Sequence, residues 1–402
     1  MRARSHAMSG QSLTAQPIST TYVETGMNTV CGLPTLTWSN ENPLSIRLHM
    51  AASGPSVTMP TSKTLYATIK HFPRHTGTAF PTWRRWAPFP STSTPLLTAR
   101  TVTYWCKQSP PRRVRELEPF LQQTISELIT EFVERGGGDA VTELALPLPL
   151  TVLTEIVGFS ASTVASFREL TVALWADGTA EGQLRGREAL TEVLTNEISR
   201  HQQTQPDDYL SWLLRAQIDD RAIREDEIVS ILLSLAVAGH ETTMNSVGSL
   251  LYLLATHQGD QIRLRGDASL APGYVEEMLR LRTPAQAFAR RTTRDAEIAG
   301  TTIPRGEWVL LLNAAANRDP RHFENPDAFD INRSARGHLA FGWGIHQCVG
   351  ASLARLELRI VLEQLCTHPA FVLDGEPTFS SLEAGTHYGP THLPIRFTKE
   401  TS

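Results

Sequence analysis

The chain has 402 residues, of which 41% are hydrophobic, and a formal net charge of -4, so it can bury a sizeable core in one large domain or two ordinary ones. No run of about 18 or more uncharged apolar residues occurs, which excludes an obvious membrane span or the apolar region of a signal peptide. Four cysteines, Cys31, Cys106, Cys348 and Cys366, are too scattered for a zinc pattern and too few for a disulfide scaffold, which fits a reducing cytoplasm.

Residues 1–110 stand apart from the rest. They hold two acids, Glu24 and Glu41, against ten Lys plus Arg, are crowded with Ser, Thr and Pro, and show no sustained period. An organellar transit peptide and a disordered basic arm both suit that composition. Length and scattered prolines count against the first, and Trp38, Trp83, Trp86 and Trp105 against the second.

From Arg112 onward the pattern is helical. Arg115 to Arg135 carries a stripe of Leu117, Phe120, Leu121, Ile125, Leu128, Ile129 and Phe132, closed by three glycines from Gly136 to Gly138. Leu144 to Phe159, Ser162 to Trp175 and Leu184 to Gln203 read as further helices, the last ending before Pro206. Asp226 to Leu254 is the longest helix candidate, with acids near its positive end. Its centre, Ala238-Gly239-His240-Glu241-Thr242-Thr243, interrupts an apolar run. A mid-helix glycine costs about 1 kcal/mol relative to alanine, so something is expected to pack close to that turn.

Glu277 and Arg280 lie three apart on a helix that Pro284 ends, a pairing that alone is worth only about 0.2–0.5 kcal/mol. From Gln286 to Leu312 the period shortens, with a hairpin turn over Asp295 to Gly300 and a buried strand from Trp308 to Leu312. A Pro-rich irregular stretch from Asn317 to Asp330 leads to His338 and then to Phe341-Gly342-Trp343-Gly344-Ile345-His346-Gln347-Cys348-Val349-Gly350. A cysteine just before the apolar helix Ala351 to Leu365 faces unpaired N–H groups and the positive end of a dipole, which favour a thiolate. Gly342, Gly344 and Gly350 remove side chains where a flat cofactor would lie close to the backbone. A buried structural cysteine is the plainer account of a lone Cys.

The ten residues from Phe341 to Gly350 fill every fixed position of the Phe-Gly-x-Gly-x-His-x-Cys-x-Gly signature, so the stretch resembles the haem-binding loop of the cytochrome P450 family. The turn from Ala238 to Thr243 is similar to the family's oxygen-activating motif, and Glu277–Arg280 to its structural Glu-x-x-Arg pair, in the family's order. The resemblance covers roughly residues 112–402. It implies a mostly α fold, a triangular prism with a small β region, and haem b (iron protoporphyrin IX) between the long central helix and the cysteine loop.

Cys348 would be the axial iron ligand, with Phe341, Gly342 and Gly350 shaping its loop. Gly239 would let the backbone approach dioxygen, and Glu241 with Thr242 would form an acid–alcohol pair managing the two protons that O–O cleavage consumes. Arg290, with Arg291 as its rival, and the histidines His346 and His338 would reach the haem propionates. Ala328 stands where many relatives carry an arginine completing the Glu277–Arg280 network, so another residue must substitute or the network is smaller. The final segment, Gly385 to Phe397, resembles a hairpin that touches substrate. The implied reaction is insertion of one oxygen atom from O2 into a small organic substrate by hydroxylation or epoxidation. Its electrons would come from a separate ferredoxin or flavodoxin with its reductase, and neither nucleic acid nor a membrane anchor is expected.

The resemblance also bears on residues 1–110. Reading a back-translation of Ser91 to Ser109 from the third base of each codon allows a peptide with a His and an Arg, similar to the family's helix leading to the propionates. The expectation is therefore a cytochrome P450 haem-thiolate domain over 111–402, preceded by an anomalous segment read out of frame or disordered, with the frame restored near Pro110–Pro111. The contrary expectation is a catalytically inactive or misfolded haem-binding product of a frame-shifted gene.

Overall fold

The computed structural model describes residues 111–402, apart from 165, 167–168, 171–179, 219–220, 381–386 and 399–402, together with four short strands before residue 70. Those strands apart, the anomalous segment expected over residues 1–110 lies outside the described residues. The chain divides into two units, residues 1–64 with 297–302, and residues 65–296 with 303–402. In the first, β1 (Thr35–Trp38), β2 (Ile46–His49) and β3 (Val57–Thr58) form an antiparallel sheet in that order. The second carries the candidate site.

Helices dominate the second unit. The stripe read over Arg115 to Arg135 forms two helices, α1 (Pro111–Glu116) and α2 (Glu118–Glu134), because Pro119 in the first turn of α2 suits a fresh start. Leu121, Ile125, Ile129 and Phe132 are fully buried along one face of α2. The glycines that end it do more than stop a helix. Gly137 and Gly138 begin β5 (Gly137–Asp139), and an ideal Cβ on Gly137 would stand 2.9 Å from Arg396 Cα, so only glycine lets the two strands approach.

A π-helical turn, Val141–Ala145, leads into α3 (Pro147–Val157), whose left-handed Gly158 cap has φ 87°. Residues 161–164 are helical, and most of the helix expected to Trp175 lies outside the described residues. There follow α4 (Ala180–Thr204), α5 (Tyr209–Arg215), the short pair β6 (Gln217–Ile218) and β7 (Arg221–Ala222), and the 32-residue helix α6 (Glu225–Thr256). At its start Glu227 accepts a hydrogen bond from Arg224 N–H at 2.9 Å, and three acids complement the dipole.

Helix α6 serves two separate cores. Its first half packs Ile228, Val229, Leu232 and Ala236 with Leu150, Leu190, Leu194 and Leu210. Its second half packs Val247, Leu250, Leu251 and Leu254 with α2, with α8 (Ala271–Leu281) and with α10 (Ala351–Leu365). The interrupted turn from Ala238 to Thr243 lies at the seam. Between α6 and α8 runs α7 (Gln258–Gly266), and between the small strands and the cysteine loop the single turn α9 (Asn313–Ala316).

The β region is small and antiparallel. Strand β11 (Trp308–Leu311) pairs with β8 (Phe288–Arg291) and with β4 (Tyr66–Thr68), while Ala299 and Gly300, both at positive φ, turn β9 (Ala296–Ile298) into β10 (Thr301–Ile303). Of the strand expected from Trp308 to Leu312, only Val309 is fully buried. The expected C-terminal hairpin is corrected. Strand β14 (Pro390–His392) pairs with β13 (Thr378–Phe379), and β15 (Pro394–Phe397) lies between β12 (Phe371–Leu373) and β5, so consecutive strands join different sheets. No helix among the described residues is long and apolar enough to cross a membrane.

Candidate functional site

The cysteine loop folds back on itself. Cys348 N–H donates to Phe341 O at 2.8 Å, and Gln347 N–H to Gly344 O at 3.0 Å around a single 3-10 turn, Gly344–His346. Gly342 and Gly344 have φ of 67° and 71°, so their immediate need is for a left-handed backbone. Gly350 has an ordinary φ of -84° as N-cap of α10, and contributes its N–H instead. That N–H and the one of Ala351 are directed at the Cys348 sulfur. Burial among protein atoms pushes the thiol up, against the pull of these two N–H groups and the Arg355 charge, although the residue stays accessible at the surface. Arg355 lies 4.3 Å from the Phe341 ring centroid and pairs with Glu276 at 2.6 Å, which fixes the base of the loop.

Along α6 burial fails where the sequence is interrupted. Ala238 and Gly239 are exposed between the buried Ala236 and His240, and an ideal Cβ on Gly239 would touch only Leu153, at 3.9 Å. Thr242 Oγ1 donates to Ala238 O at 2.7 Å. The Glu241 carboxyl points elsewhere, with Oε2 3.4 Å from His387 Nδ1. No hydrogen bond joins the two expected partners, because consecutive helical residues do not face one another. Burial raises the Glu241 carboxyl to about 7 and lowers His387 to about 4.

On β8, Arg290 and Arg291 point to opposite faces. Arg291 donates to Gly306 O at 3.0 Å, whereas Arg290 is half-buried, has no acid partner among the described residues, and is close enough to hold His346 lower after burial has done so. His338 is placed otherwise. Its Nε2 lies 3.1 Å from Glu276 Oε2 and its Nδ1 accepts Ala340 N–H at 3.1 Å. Both ring nitrogens are taken, so His338 is a strut of the loop with neither nitrogen free for a propionate.

Glu277 and Arg280 are both fully buried and joined through two hydrogen bonds of 2.7 and 2.8 Å. The missing arginine is found five residues beyond Ala328: Arg333 Nε donates to Glu277 Oε1 at 2.9 Å. Ala328 contributes its carbonyl, which accepts from Arg280 at 3.1 Å, and Arg280 also reaches Asn317 O and Pro326 O. Sequence reasoning missed Arg333 and His387. For the first, an arginine between the irregular stretch and His338 was a legible signal; for the second there was no local motif.

These residues fit a haem. Among the described residues no three His, Cys, Asp or Glu side chains gather to cage an ion, so the lone sulfur with its two N–H donors suits a metal that brings its other ligands in a ring. Arg290 supplies an unpaired cation for a propionate, and the exposed apolar surfaces of Phe288 and Trp343 suit a flat apolar edge.

A family model described as Cytochrome P450 matches residues 181–373. Cytochrome P450 107B1 of Saccharopolyspora erythraea is 40% identical over 255 residues, 63% of this chain and 63% of the relative. The monooxygenase PikC of Streptomyces venezuelae is 38% identical over 272 residues, 66% and 65% of the two chains. Among solved structures, the bacillaene polyketide synthase cytochrome P450 PksS of Bacillus subtilis 168 superposes with a TM-score of 0.69 at 30% identity, covering 75% of this chain and 78% of that one. The chain thus spans just under two thirds of the length of the two curated relatives.

Proposed function

The chain belongs to the cytochrome P450 family, and from that premise we propose that it is a haem-thiolate monooxygenase inserting one oxygen atom from O2 into a small organic substrate. The observation that carries this is the juxtaposition, within one sequence, of an accessible Cys348 under two N–H donors and a central helix that exposes Gly239 beside a buried acid. Hydroxylation and epoxidation are both represented among the relatives, by 6-deoxyerythronolide B hydroxylase and by cyclomarin C epoxidase.

Bound haem b would supply oxygen activation at an iron held by the Cys348 thiolate. Arg290 and His346 would hold its propionates, and Phe341, Gly342 and Gly350 keep the loop in shape. Thr242, with its hydroxyl hydrogen on Ala238 O, keeps its lone pairs free to accept a proton donor. Glu241, with its carboxyl raised to about 7, holds a proton near neutrality that it can release. Glu277, Arg280 and Arg333 steady the scaffold under the loop. Electrons would come from a separate ferredoxin or flavodoxin with its reductase, docking on the face by the cysteine loop, where a groove of 560 Å³ is lined by Arg115 and by Arg355 and Arg359 paired with Glu276 and Glu118. The deciding experiment is the reduced, carbon-monoxide-bound absorption spectrum of the purified chain. A thiolate-type band is expected, and its absence would remove the reading.

A second reading concerns residues 1–110, which we take to be largely out of frame. The match to Cytochrome P450 107B1 covers 63% of each chain, so the unmatched remainders are of about equal length. A shifted frame preserves length while replacing sequence. On this reading the chain as written is an inactive haem-binding product, and the thiolate spectrum strengthens when the frame is restored. An uninterrupted frame on sequencing the source DNA, together with full activity of the chain as written, would sink it.

A further inference from the structure

We propose that His387 is a positioning residue for Glu241: its Nδ1 holds the carboxyl in one orientation, and the two side chains share a single proton. The inference rests on the oxygenase reading only for its purpose; the pairing itself is a matter of geometry.

The segment from His387 to Pro390 lies along one face of α6. His387 Nδ1 meets Glu241 Oε2 at 3.4 Å, an ideal Cβ on Gly389 would stand 2.6 Å from Asn245 Cβ, and one on Gly248 would stand 3.1 Å from Pro390 Cδ. Positions 241, 245 and 248 are four and three apart, which is one stripe of a helix. The same segment is tied from behind. Tyr388 N–H donates to Pro284 O at 2.8 Å, His387 bridges Ala285, and Ser380 Oγ donates to His387 O at 3.2 Å. The Tyr388 ring stacks on Phe379 at 5.7 Å and faces the Arg282 guanidinium at 5.4 Å, itself held over Tyr252 and Phe379 at 4.8 Å each. The backbone of His387 is therefore fixed from the helix, from the segment after α8 and from β13.

Glu241 Oε2 has no hydrogen bond within the described residues at its present distance, so a small closure onto Nδ1 is what would satisfy it. An imidazole suits either state of the carboxyl. It accepts from the acid when the proton sits on oxygen, and donates to the carboxylate when the proton sits on nitrogen, with one proton and no net charge in both cases. When Glu241 gives its proton up, the imidazole is the adjacent acceptor and donor through which water can replace it, and the His387 side chain keeps 14% of its surface exposed. Beside Glu241 on α6 stands His240, and next to His387 stands Tyr388, whose ring Arg282 faces; α6 also carries Glu225, Asp226 and Glu227 in its first turn and Tyr252 under Arg282.

Infrared difference spectroscopy of the full chain tests the pairing without a substrate. The carbonyl band of protonated Glu241 is identified by its loss in Glu241→Gln. In His387→Leu the band should move to the frequency of a free carboxylic acid and its titration midpoint should shift by more than one pH unit. In His387→Asn, whose amide places an acceptor near the Nδ1 position, the band should stay within a few wavenumbers of wild type. An unmoved band and midpoint in His387→Leu would overturn the proposal. So would equal displacement in both variants, which would mark a packing role only. If wild type lacks the thiolate carbon-monoxide spectrum, the oxygenase reading fails while the infrared result still decides the pairing.

Discussion

Two glutamates of one chain, Glu277 fully buried and Glu241 partly so, have opposite surroundings. Glu277 accepts four hydrogen bonds, two from Arg280, one from Arg333 and one from Asp330 N–H. Among the described residues Glu241 meets no guanidinium; burial raises its carboxyl to about 7. The cost of removing a carboxylate from water is offset at the first site by cations and left standing at the second. The difference separates an acid that holds the fold from an acid that can exchange a proton, and the placement of arginines makes it.

Breaking the first site should have the largest effect. Glu277→Ala leaves Arg280 buried with no counter-charge and should lower unfolding stability by about 3–5 kcal/mol in denaturant melts. A loss below about 1 kcal/mol would show that the network contributes little. Glu241→Gln should act in the other direction and only at higher pH. The folded carboxyl keeps its proton up to about 7 while the unfolded one loses it near 4.5, so the folded state binds more protons in that window and wild-type stability falls as pH rises. The variant should therefore gain on wild type progressively between pH 4.5 and 7, by up to about 3 kcal/mol. His387, held neutral down to about 4, has the opposite sign: the unfolded state takes the proton first, so wild type weakens as pH drops from 6.5 toward 4 and His387→Asn should gain on it there. Parallel melts at pH 4.5, 5.5 and 7 check both slopes, and pH-independent differences would refute the assignment.

What the sequence made legible follows the same division. Cys348, Gly239, Glu241, Glu277 and Arg280 sit in short runs that resemble the family's motifs, and helices α2, α4, α6, α8 and α10 announce themselves by period. Arg333 was legible as an arginine just past the irregular stretch but was passed over, because position 328 drew the reading. The partners of His338 were not legible, because a histidine in a loop says nothing about which nitrogen is already engaged. Gly137 read as a helix stop because the strand that requires its bare backbone lies at the far end of the chain. His387 lacked any local signal, since its partner is set by how the last segment lies on α6.

That seating offers the smallest and sharpest test. Gly389 has no room for a methyl group: its Cβ would press on Asn245 Cβ at 2.6 Å, and a backbone-proximal atom cannot rotate away. Gly389→Ala should cost about 1–3 kcal/mol by overpacking, and should lift the segment from α6 far enough to release Glu241 from His387. Asn245→Ala would keep the offending Cβ and leave the penalty in place. Asn245→Gly would remove it, at about 1 kcal/mol for a glycine inside a helix. Gly389→Ala should thus be rescued in the Asn245→Gly background alone, and the Glu241 infrared band should return with it. Rescue by Asn245→Ala as well would mean that the amide, and not the close approach of the two backbones, sets the position of His387.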